Sequence, residues 1–308
     1  GGDYLSQLKP NPIGDFKWEV SANLVTIIEC KAKGIVVLPK KITGFPVGRI
    51  GSLTSDGNTL PHGLRDANAI PDGVTTLVIP DSVTSIADGA FYGCKSLVKL
   101  KIPDKVTSIG KYAFYGCENL RKVTIGTGLS IIGDGAFYGC RQLSNLTLPD
   151  SLTFIGQKAF QYCSSLTGIT IPIAVNNIAN SAFDDCTGLT SIMVSEKNPT
   201  FSSEDGVLIN KARKWVLRCP QGKDGAYRVP ASVTTISDSA FYRCNRLTSV
   251  TIPEGVIAIG NYAFRECSAL NTVSIPQSVN SIGSFAFASC ENLTGVRFPP
   301  GVPSIGSF

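Results

Sequence analysis

Cysteine is the residue type whose number and spacing most suggest chemistry in this chain. The sequence holds ten cysteines, and eight of them recur in one column at a 23-residue spacing that is interrupted once. The column consists of Cys94, Cys117, Cys140, Cys163, Cys186, Cys244, Cys267 and Cys290. Stacked strands lie about 4.8 Å apart, a separation that a disulfide tolerates, so bridges between neighbouring repeats are one interpretation. We favour a buried column of reduced thiols, because the repeat itself sets the spacing, and we expect Cys30 and Cys219 to be reduced as well.

Metal and catalytic chemistry have little support in the sequence. A zinc site needs His ligands or closely spaced Cys ligands, and the single histidine, His62, has no cysteine near it. The acidic pairs Asp184-Asp185 and Glu204-Asp205 occupy turn-like positions, where carboxylates cap backbone groups. Calcium binding is the alternative for these pairs. We expect no catalytic residue, no bound metal, no cofactor and no enzymatic activity.

The elements that carry these residues repeat together with the cysteines. Each repeat begins with Leu-x-x-Leu-x-Ile, as at residues 97–102, and the alternation predicts a short strand with one face inward. A proline usually ends this strand, and Val-x-x-Ile then gives a second extended piece. Ala, Phe and Cys of the following Ala-Phe-x-x-Cys share one face of a helical turn. The sequence therefore predicts an α/β solenoid with one long parallel β-sheet and short helical turns on the opposite side.

Glycine follows the isoleucine of the second extended piece in five repeats. These glycines are Gly110, Gly133, Gly156, Gly260 and Gly283. The same position holds Ala87, Ala179 or Ser237 elsewhere. A position that required positive φ would not accept those residues, so we interpret the column as a place of close packing.

The places where the spacing changes suggest the domain organisation. We divide the chain into an N-terminal tail (1–15), a capping region with an atypical first coil (16–70) and the repeat array (71–308). Within the array, the proline column jumps 35 residues from Ser195 to Pro230. Two apolar runs in the extra segment predict a β-hairpin insert at about 196–229.

Composition narrows the classes of function. An apolar content of 43% with 17% charged residues argues against long disordered tracts. The net charge of +5 comes from scattered residues, whereas nucleic-acid binders concentrate Lys and Arg on one face. No apolar run approaches the roughly 20 residues that cross a bilayer. The chain starts at Gly1 and stops within a repeat at Phe308, so we expect a mature start without its export signal and a trimmed end.

Three surface features are candidates for ligand binding. Lys99, Lys101 and Lys122 fall at outward positions of two neighbouring strands and form one basic patch. The alternative is an ordinary exposed sheet face without a ligand, since Ser and Thr at the other outward positions are common on exposed strands.

Aromatic side chains supply the other two features. Tyr92, Tyr115 and Tyr138 follow the repeated Phe in consecutive repeats and predict a row of stacked rings. Such a row can bind sugar or protein, or it can simply shield the edges of the coils. Trp215 lies in the inserted segment, which departs from the repeat.

The repeated phrase resembles that of the BspA-like leucine-rich repeat family of bacterial surface proteins. The signature Ile-Pro-x-x-Val-x-x-Ile-Gly-x-x-Ala-Phe-x-x-Cys recurs with small variations over roughly residues 16–308. The resemblance implies a leucine-rich repeat fold, an extracellular or cell-surface location, and adhesion to or recognition of host or extracellular-matrix proteins. It carries over no catalytic residue.

We therefore expect a non-catalytic binding scaffold whose partner is a host or extracellular-matrix protein. Two alternatives stay open. One is a carbohydrate-binding module that uses the tyrosine row to bind a glycan, and the other is an accessory repeat domain of a larger protein. Nucleic acid is not an expected partner, and no transmembrane segment is expected in this chain.

Overall fold

A computed structural model of the chain describes residues 7–51, 73–294, 296 and 298–302. The chain divides into two compact units, one of Gly1–Ser165 with Asn177–Asp184 and one of Leu166–Asn176 with Asp185–Phe308. Short β-strands make up nearly all of the regular structure. In the described ranges the helical structure is limited to 3-10 conformation, at Gln7 and in the turn Ile13–Asp15.

The first unit is built from two sheets. Its strands are β1 (Phe16–Ser21), β2 (Leu24–Cys30), β3 (Gly34–Val37), β4 (Lys41–Ile42), β5 (Phe45–Ile50), β6 (Val74–Val78), β7 (Ser85–Ile86), β8 (Lys99–Ile102), β9 (Ser108–Ile109), β10 (Lys122–Ile125), β11 (Ile131–Ile132), β12 (Asn145–Leu146), β13 (Phe154–Ile155) and β15 (Asn177–Ile178). The first sheet is parallel, with the order β12-β10-β8-β6-β3. The second sheet runs β1-β2-β5-β7-β9-β11-β13-β15, with β4 paired beside β5, and it begins with the antiparallel pair β1–β2.

The expectation of one long parallel sheet was wrong, because the Val-x-x-Ile pieces form a sheet of their own. Each contributes only two paired residues, for example Ser108–Ile109 against Ile131–Ile132. Their backbone N–H and C=O groups lie against the core and need partners, and the neighbouring coil at the same position supplies them. Each repeat therefore carries two strands on two sides.

The expected helical turns were also wrong. In the first repeat Cys94 N–H donates to Phe91 O at 3.1 Å, an i+3 to i bond that closes a four-residue turn, whereas an α-helix would pair residues four apart. Phe91 N–H donates to Ala113 O of the next coil at 2.7 Å. Gly89 and Gly93 have φ of +63° and +70°, and a left-handed residue interrupts an α-helix. The segment is a pair of stacked turns, although Ala, Phe and Cys face the core as expected.

The core of the first unit is a column of phenylalanine rings. Phe91, Phe114, Phe137, Phe160 and Phe183 stack with successive centroid separations of 4.7, 5.1, 5.4 and 5.5 Å. Four of these rings are fully buried. Leucine, isoleucine and valine from both sheets pack around them, so the periodic apolar positions of the sequence account for this core.

The glycine column is a place of close packing, as its residue types predicted. A Cβ on Gly133 would lie 2.8 Å from the carbonyl carbon of Gly110 and 2.9 Å from the nitrogen of Lys111. A Cβ on Gly110 would lie 2.4 Å from the nitrogen of Asp88. None of these five glycines has a positive φ. The constraint on them is therefore steric contact between neighbouring coils.

The second unit combines parallel ladders with an antiparallel meander. Its strands are β14 (Gly168–Ile171), β16 (Ser191–Val194), β17 (Phe201–Glu204), β18 (Val207–Asn210), β19 (Trp215–Arg218), β20 (Gly225–Arg228), β21 (Thr235–Ile236), β22 (Leu247–Thr251), β23 (Ala258–Ile259), β24 (Thr272–Ser274) and β25 (Ser281–Ile282). They form the sheets β14-β16, β17-β18-β19-β21-β23-β25 and β20-β22-β24. The two apolar runs of the extra segment pair antiparallel as β18 and β19, and β17 adds a third antiparallel strand. The division of the chain into tail, capping region and repeat array stays a prediction.

One buried polar residue fixes the start of the meander. Asn198 is fully buried, and its amide donates to Pro172 O at 2.7 Å and to Val175 O at 2.9 Å. Its carbonyl oxygen accepts from the N–H groups of Thr200 and Phe201, both at 2.8 Å. All hydrogen-bonding groups of this side chain are satisfied, as burial requires.

Candidate binding surfaces

The three candidate lysines lie together on the outer face of the first sheet. Lys99 pairs in register with Lys122, and Lys101 pairs with Thr124, between β8 and β10. All three lysines are exposed, while the intervening Leu100 and Val123 are buried. Rigid strands therefore present the three ammonium groups on one side of two adjacent coils. We refer to Lys99, Lys101 and Lys122 as the lysine face.

The positive charges of the lysine face are not balanced by nearby carboxylates among the described residues. Among the residues that the structure describes, none of its three lysines forms an ion pair, whereas Lys95 lies 3.8 Å from Glu118 and Lys111 lies 3.9 Å from Asp134. Like charges directly opposite one another across a ladder are destabilising by about 0.2–1 kcal/mol. The fold does not require this repulsion, because Thr, Ser or Asn occupies the same outward positions in other coils, for example Thr76 and Asn145.

A groove opens next to the lysine face, between β10 and β12. It is lined by Lys122, Thr124, Thr127, Asn145, Thr147 and Asp150, together with Val123, Ile125 and Pro149. No repeated pattern in the sequence predicts this groove. The signal that was available is Gly126, which stands where most repeats have the proline that ends the strand.

The two strand ends that border the groove differ in their backbone hydrogen bonding. Gly126 N–H donates to Ile102 O at 2.8 Å, which extends the β8–β10 ladder to four residue pairs. Pro149 has no N–H to donate, and the β10–β12 ladder stops after two pairs. A Cβ on Gly126 would lie 2.6 Å from Cα of Asp104, so this turn lies tightly on the preceding coil. The space opens on its other side.

The tyrosine row also forms, and both faces of its central ring are covered. Tyr92 and Tyr115 stack at 4.7 Å with an interplanar angle of 3°, and Tyr115 and Tyr138 stack at 4.6 Å and 7°. Burial of Tyr115 and its tyrosine neighbours raise the pKa of its hydroxyl. A sugar packs its C–H groups on the face of an aromatic ring. Both faces of Tyr115 are taken by its neighbours, which weighs against the glycan alternative and in favour of a row that shields the edges of the coils.

Trp215 is half exposed and lies in the second unit. Its side chain is 51% exposed at the start of β19, where it pairs in register with Thr235. The side-chain oxygen of Asn210 accepts hydrogen bonds from the N–H groups of Lys214 and Trp215, both at 2.9 Å. These bonds hold the start of the strand in place.

All ten cysteines are free, and nine of them are buried. Within each unit, thiols of the column donate to a carbonyl of the preceding coil: Cys117 to Phe91 O at 3.1 Å and Cys140 to Phe114 O at 3.2 Å in the first unit, and Cys267 to Phe241 O at 2.9 Å in the second. The sequence predicted the burial but not this hydrogen bond. Burial raises the pKa of both of these thiols, which keeps them protonated and unreactive.

Carboxylates of both acidic pairs form ion pairs with neighbouring Arg or Lys side chains. Asp185 accepts from Arg243 at 2.9 Å, and Arg243 also donates to Glu266 at 2.7 Å. The hydrogen bond that Arg243 donates to Glu266 raises the pKa of Arg243 further above its usual value. Glu204 pairs with Arg213 and Asp205 with Lys223. Within the described part of the chain, no group of three or more potential ligands is placed to hold a metal ion. His62 lies outside the described residues.

A family model described as "BspA type Leucine rich repeat region" matches residues 72–204 and 226–308 in six copies. The chain belongs to the BspA-type leucine-rich repeat family. The expected resemblance is thus confirmed, and the fold is a leucine-rich repeat β-solenoid with a 23-residue spacing. No curated protein sequence matches the chain. No helix in the described residues has the length and apolar character of a membrane span.

Solved structures support the same fold. A leucine rich cell surface protein from Faecalibacterium prausnitzii A2-165 is 26% identical, with a TM-score of 0.67 over 96% of this chain and 84% of the other. A leucine-rich repeat protein from Eubacterium ventriosum is 26% identical, with a TM-score of 0.63 over 88% and 66%. The pneumococcal vaccine antigen PcpA is 23% identical, with a TM-score of 0.65 over 95% and 76%, and shows the fold alone.

Proposed function

We propose that this chain is a non-catalytic, extracellular or surface-displayed scaffold that binds an acidic host or extracellular-matrix protein through the lysine face. One observation carries the proposal. Lys99 and Lys122 face each other in register without an acidic partner among the described residues, a repulsive arrangement that an acidic ligand would relieve. The family and the printed name of the similar cell surface protein support the location outside the cell.

The repeat architecture suits binding better than catalysis. The described residues with raised pKa values are buried thiols, tyrosines and an ion-paired arginine, and their causes are burial or structural hydrogen bonds. A catalytic site instead needs a titratable group poised beside a substrate cleft. The sheet face supplies what a binding surface needs, since it is rigid, exposed and charged.

The test is capture of purified matrix and host-surface proteins by the chain, at physiological and at high salt. We expect a saturable interaction that weakens with salt and falls about tenfold or more when Lys99, Lys101 and Lys122 are changed to Gln. A matched control changes Lys17, Lys95 and Lys111 to Gln. It removes the same charge but only from lysines that have acidic neighbours.

Two results would refute the proposal. One is binding that weakens equally in the two triple variants, since a general charge effect needs no defined face. The other is binding that is insensitive to both salt and the lysine-face variant, which would place the interaction on another surface.

A further inference from the structure

We propose that the groove between β10 and β12 binds an acidic sugar, the sugar-acid residue of a glycan carried by the partner. The inference rests on the proposed function, since it assigns a ligand class to the same face of the first sheet. It differs from the glycan alternative of the tyrosine row, because it uses polar groups in a groove rather than aromatic faces.

The polar groups of the groove are those that a hydroxyl-rich anion needs. Lys122 supplies a cation, Thr124, Thr127 and Thr147 supply hydroxyls that both donate and accept, and Asn145 supplies an amide. A carboxylate side chain of a protein would use the lysine and leave the row of hydroxyls without partners. A sugar acid has one carboxylate and several hydroxyls on a small ring, and it would use both.

The order of these groups along the strands gives the ligand a direction. Lys122 and Asn145 are opposite one another at the start of β10 and β12, while Thr127 and Asp150 lie beyond the strand ends. The four residues of β10 span about 13 Å at the usual rise per residue. The carboxylate of the ligand therefore lies at the Lys122 end, away from the like charge of Asp150. At the other end, Asp150 accepts a hydrogen bond from a hydroxyl of the sugar.

Apolar lining completes the site. Ile125 and Pro149 line the groove between its two polar ends. Pyranose rings carry patches of C–H groups that pack on such surfaces, whereas a simple phosphate or sulfate ion has no apolar part to place there. The combination of one cation, several hydroxyls and an apolar strip thus favours a sugar acid over an inorganic anion.

The test compares three small ligands by NMR titration of the whole chain. Methyl β-D-glucuronide carries the carboxylate and the hydroxyls, methyl β-D-glucoside carries only hydroxyls, and cyclohexanecarboxylate carries only the acid. We expect the glucuronide to bind about tenfold more tightly than either of the others, because only it engages both sets of groups. N-acetylneuraminic acid, run in parallel, shows which kind of sugar acid fits better.

Variants connect the binding to the groove. Thr147→Val keeps the shape of the side chain and removes its hydroxyl, and we expect it to weaken glucuronide binding several-fold. Thr170→Val is the matched control, an exposed threonine on β14 in the second unit. Equal binding of glucuronide and glucoside, no saturable binding of either sugar acid, or no effect of Thr147→Val would each overturn the inference.

The two proposals fail separately. Lys99 and Lys101 do not line the groove, so their change to Gln tests protein capture without removing a groove residue. Capture that depends on Lys99 and Lys101 without any sugar binding would leave the proposed function standing and remove this inference. Glucuronide binding without lysine-dependent capture would do the reverse.

Discussion

Replacing Asn198 with alanine should detach the inserted meander from the coil on which it is built. The side chain is fully buried and makes four hydrogen bonds, two to carbonyls of the preceding coil and two to N–H groups at the start of β17. Alanine at this position leaves all four backbone groups without their partner. Pro172 O keeps its longer bond from the Val175 N–H at 3.4 Å, and the structure gives Val175 O and the N–H groups of Thr200 and Phe201 no second partner of this kind.

The magnitude follows from the burial of those groups. A buried donor or acceptor without a partner costs about 1–3 kcal/mol. Phe201 is buried, and the amide of Asn198 reaches Pro172 O and Val175 O inside the same unit. Three of the four bonds are buried, and the one from Thr200 is partly buried and open to water. Because Pro172 O also keeps its bond from Val175, Val175 O and the Phe201 N–H remain unsatisfied, and the expected loss is about 3–5 kcal/mol. Such a loss is a large part of the stability of one local unit.

The assay is native-state hydrogen exchange, since repeat arrays open locally and one global unfolding midpoint would average over the coils. We expect faster exchange in residues 198–218, with little change at β22 and β24. Asn210→Ala is the matched control: Asn210 also accepts two backbone N–H bonds, but those bonds are exposed and water can replace them. Its cost should stay near 1 kcal/mol.

Equal effects of Asn198→Ala and Asn210→Ala would refute the reasoning, because burial would then not set the cost. Protection unchanged throughout 198–218 would refute it more directly. A third variant, Asn198→Asp, keeps the acceptor for Thr200 and Phe201 and turns the two donors into acceptors that face carbonyls. It should therefore be as destabilising as alanine at neutral pH.

Three further expectations concern the first unit. Phe137→Ala should cost about 3–5 kcal/mol, measured by hydrogen exchange of the neighbouring coils, because Phe137 is fully buried between two stacked rings; a loss near zero would contradict the ring column. Gly133→Ala should destabilise by about 1–3 kcal/mol in thermal melts, because the new Cβ would contact the backbone of the preceding coil. The control is Gly168→Ala, whose Cβ would have nothing nearer than 3.9 Å, and it should be neutral or slightly stabilising. Lys122→Thr should raise stability by about 0.2–1 kcal/mol at low salt while weakening ligand binding, and a stability gain that persists in 1 M salt would show that charge repulsion is not its cause.

The repeat and its core could be predicted from the sequence because each column of equivalent residues has a single structural role. Phe137 and Cys140 must be buried in every coil, and strict spacing of apolar residues reports that directly. Close packing at the glycine column could also be predicted, since Ala179 and Ser237 at the same position exclude a need for positive φ. A column whose residue types vary only within a limit of size or polarity therefore predicts packing well.

The turns were misassigned because spacing alone does not distinguish two stacked turns from one helical turn. Both place Ala, Phe and Cys on one face. The difference is the left-handed residue before each Cys, and glycine marks it at Gly93, Gly116 and Gly139. Later coils place Tyr162 or Arg243 in the same conformation, with φ of +62° and +56°, which hides the signal in a single sequence.

The third strand of the meander and the groove were missed for related reasons. Strand β17, Phe201–Glu204, has one buried apolar residue and three polar ones, so it shows no alternation. Its position is determined by Asn198, which contacts residues about 25 positions earlier in the chain. The groove depends on whether Gly126 and Pro149 can donate a backbone N–H to the preceding coil, a property of the stacked structure rather than of either residue alone.

Function in such an array is best sought where a coil departs from the repeat at a cost to stability. A residue in the periodic core is explained by packing and says little about a ligand. Lys99 opposite Lys122 adds repulsion, and Gly126 gives up the rigidity of the usual proline. Neither change is needed for a coil to stack, since other coils manage with neutral residues and proline. That both departures occur on the same two adjacent coils, and on the same face, is the physical ground for placing the ligand there.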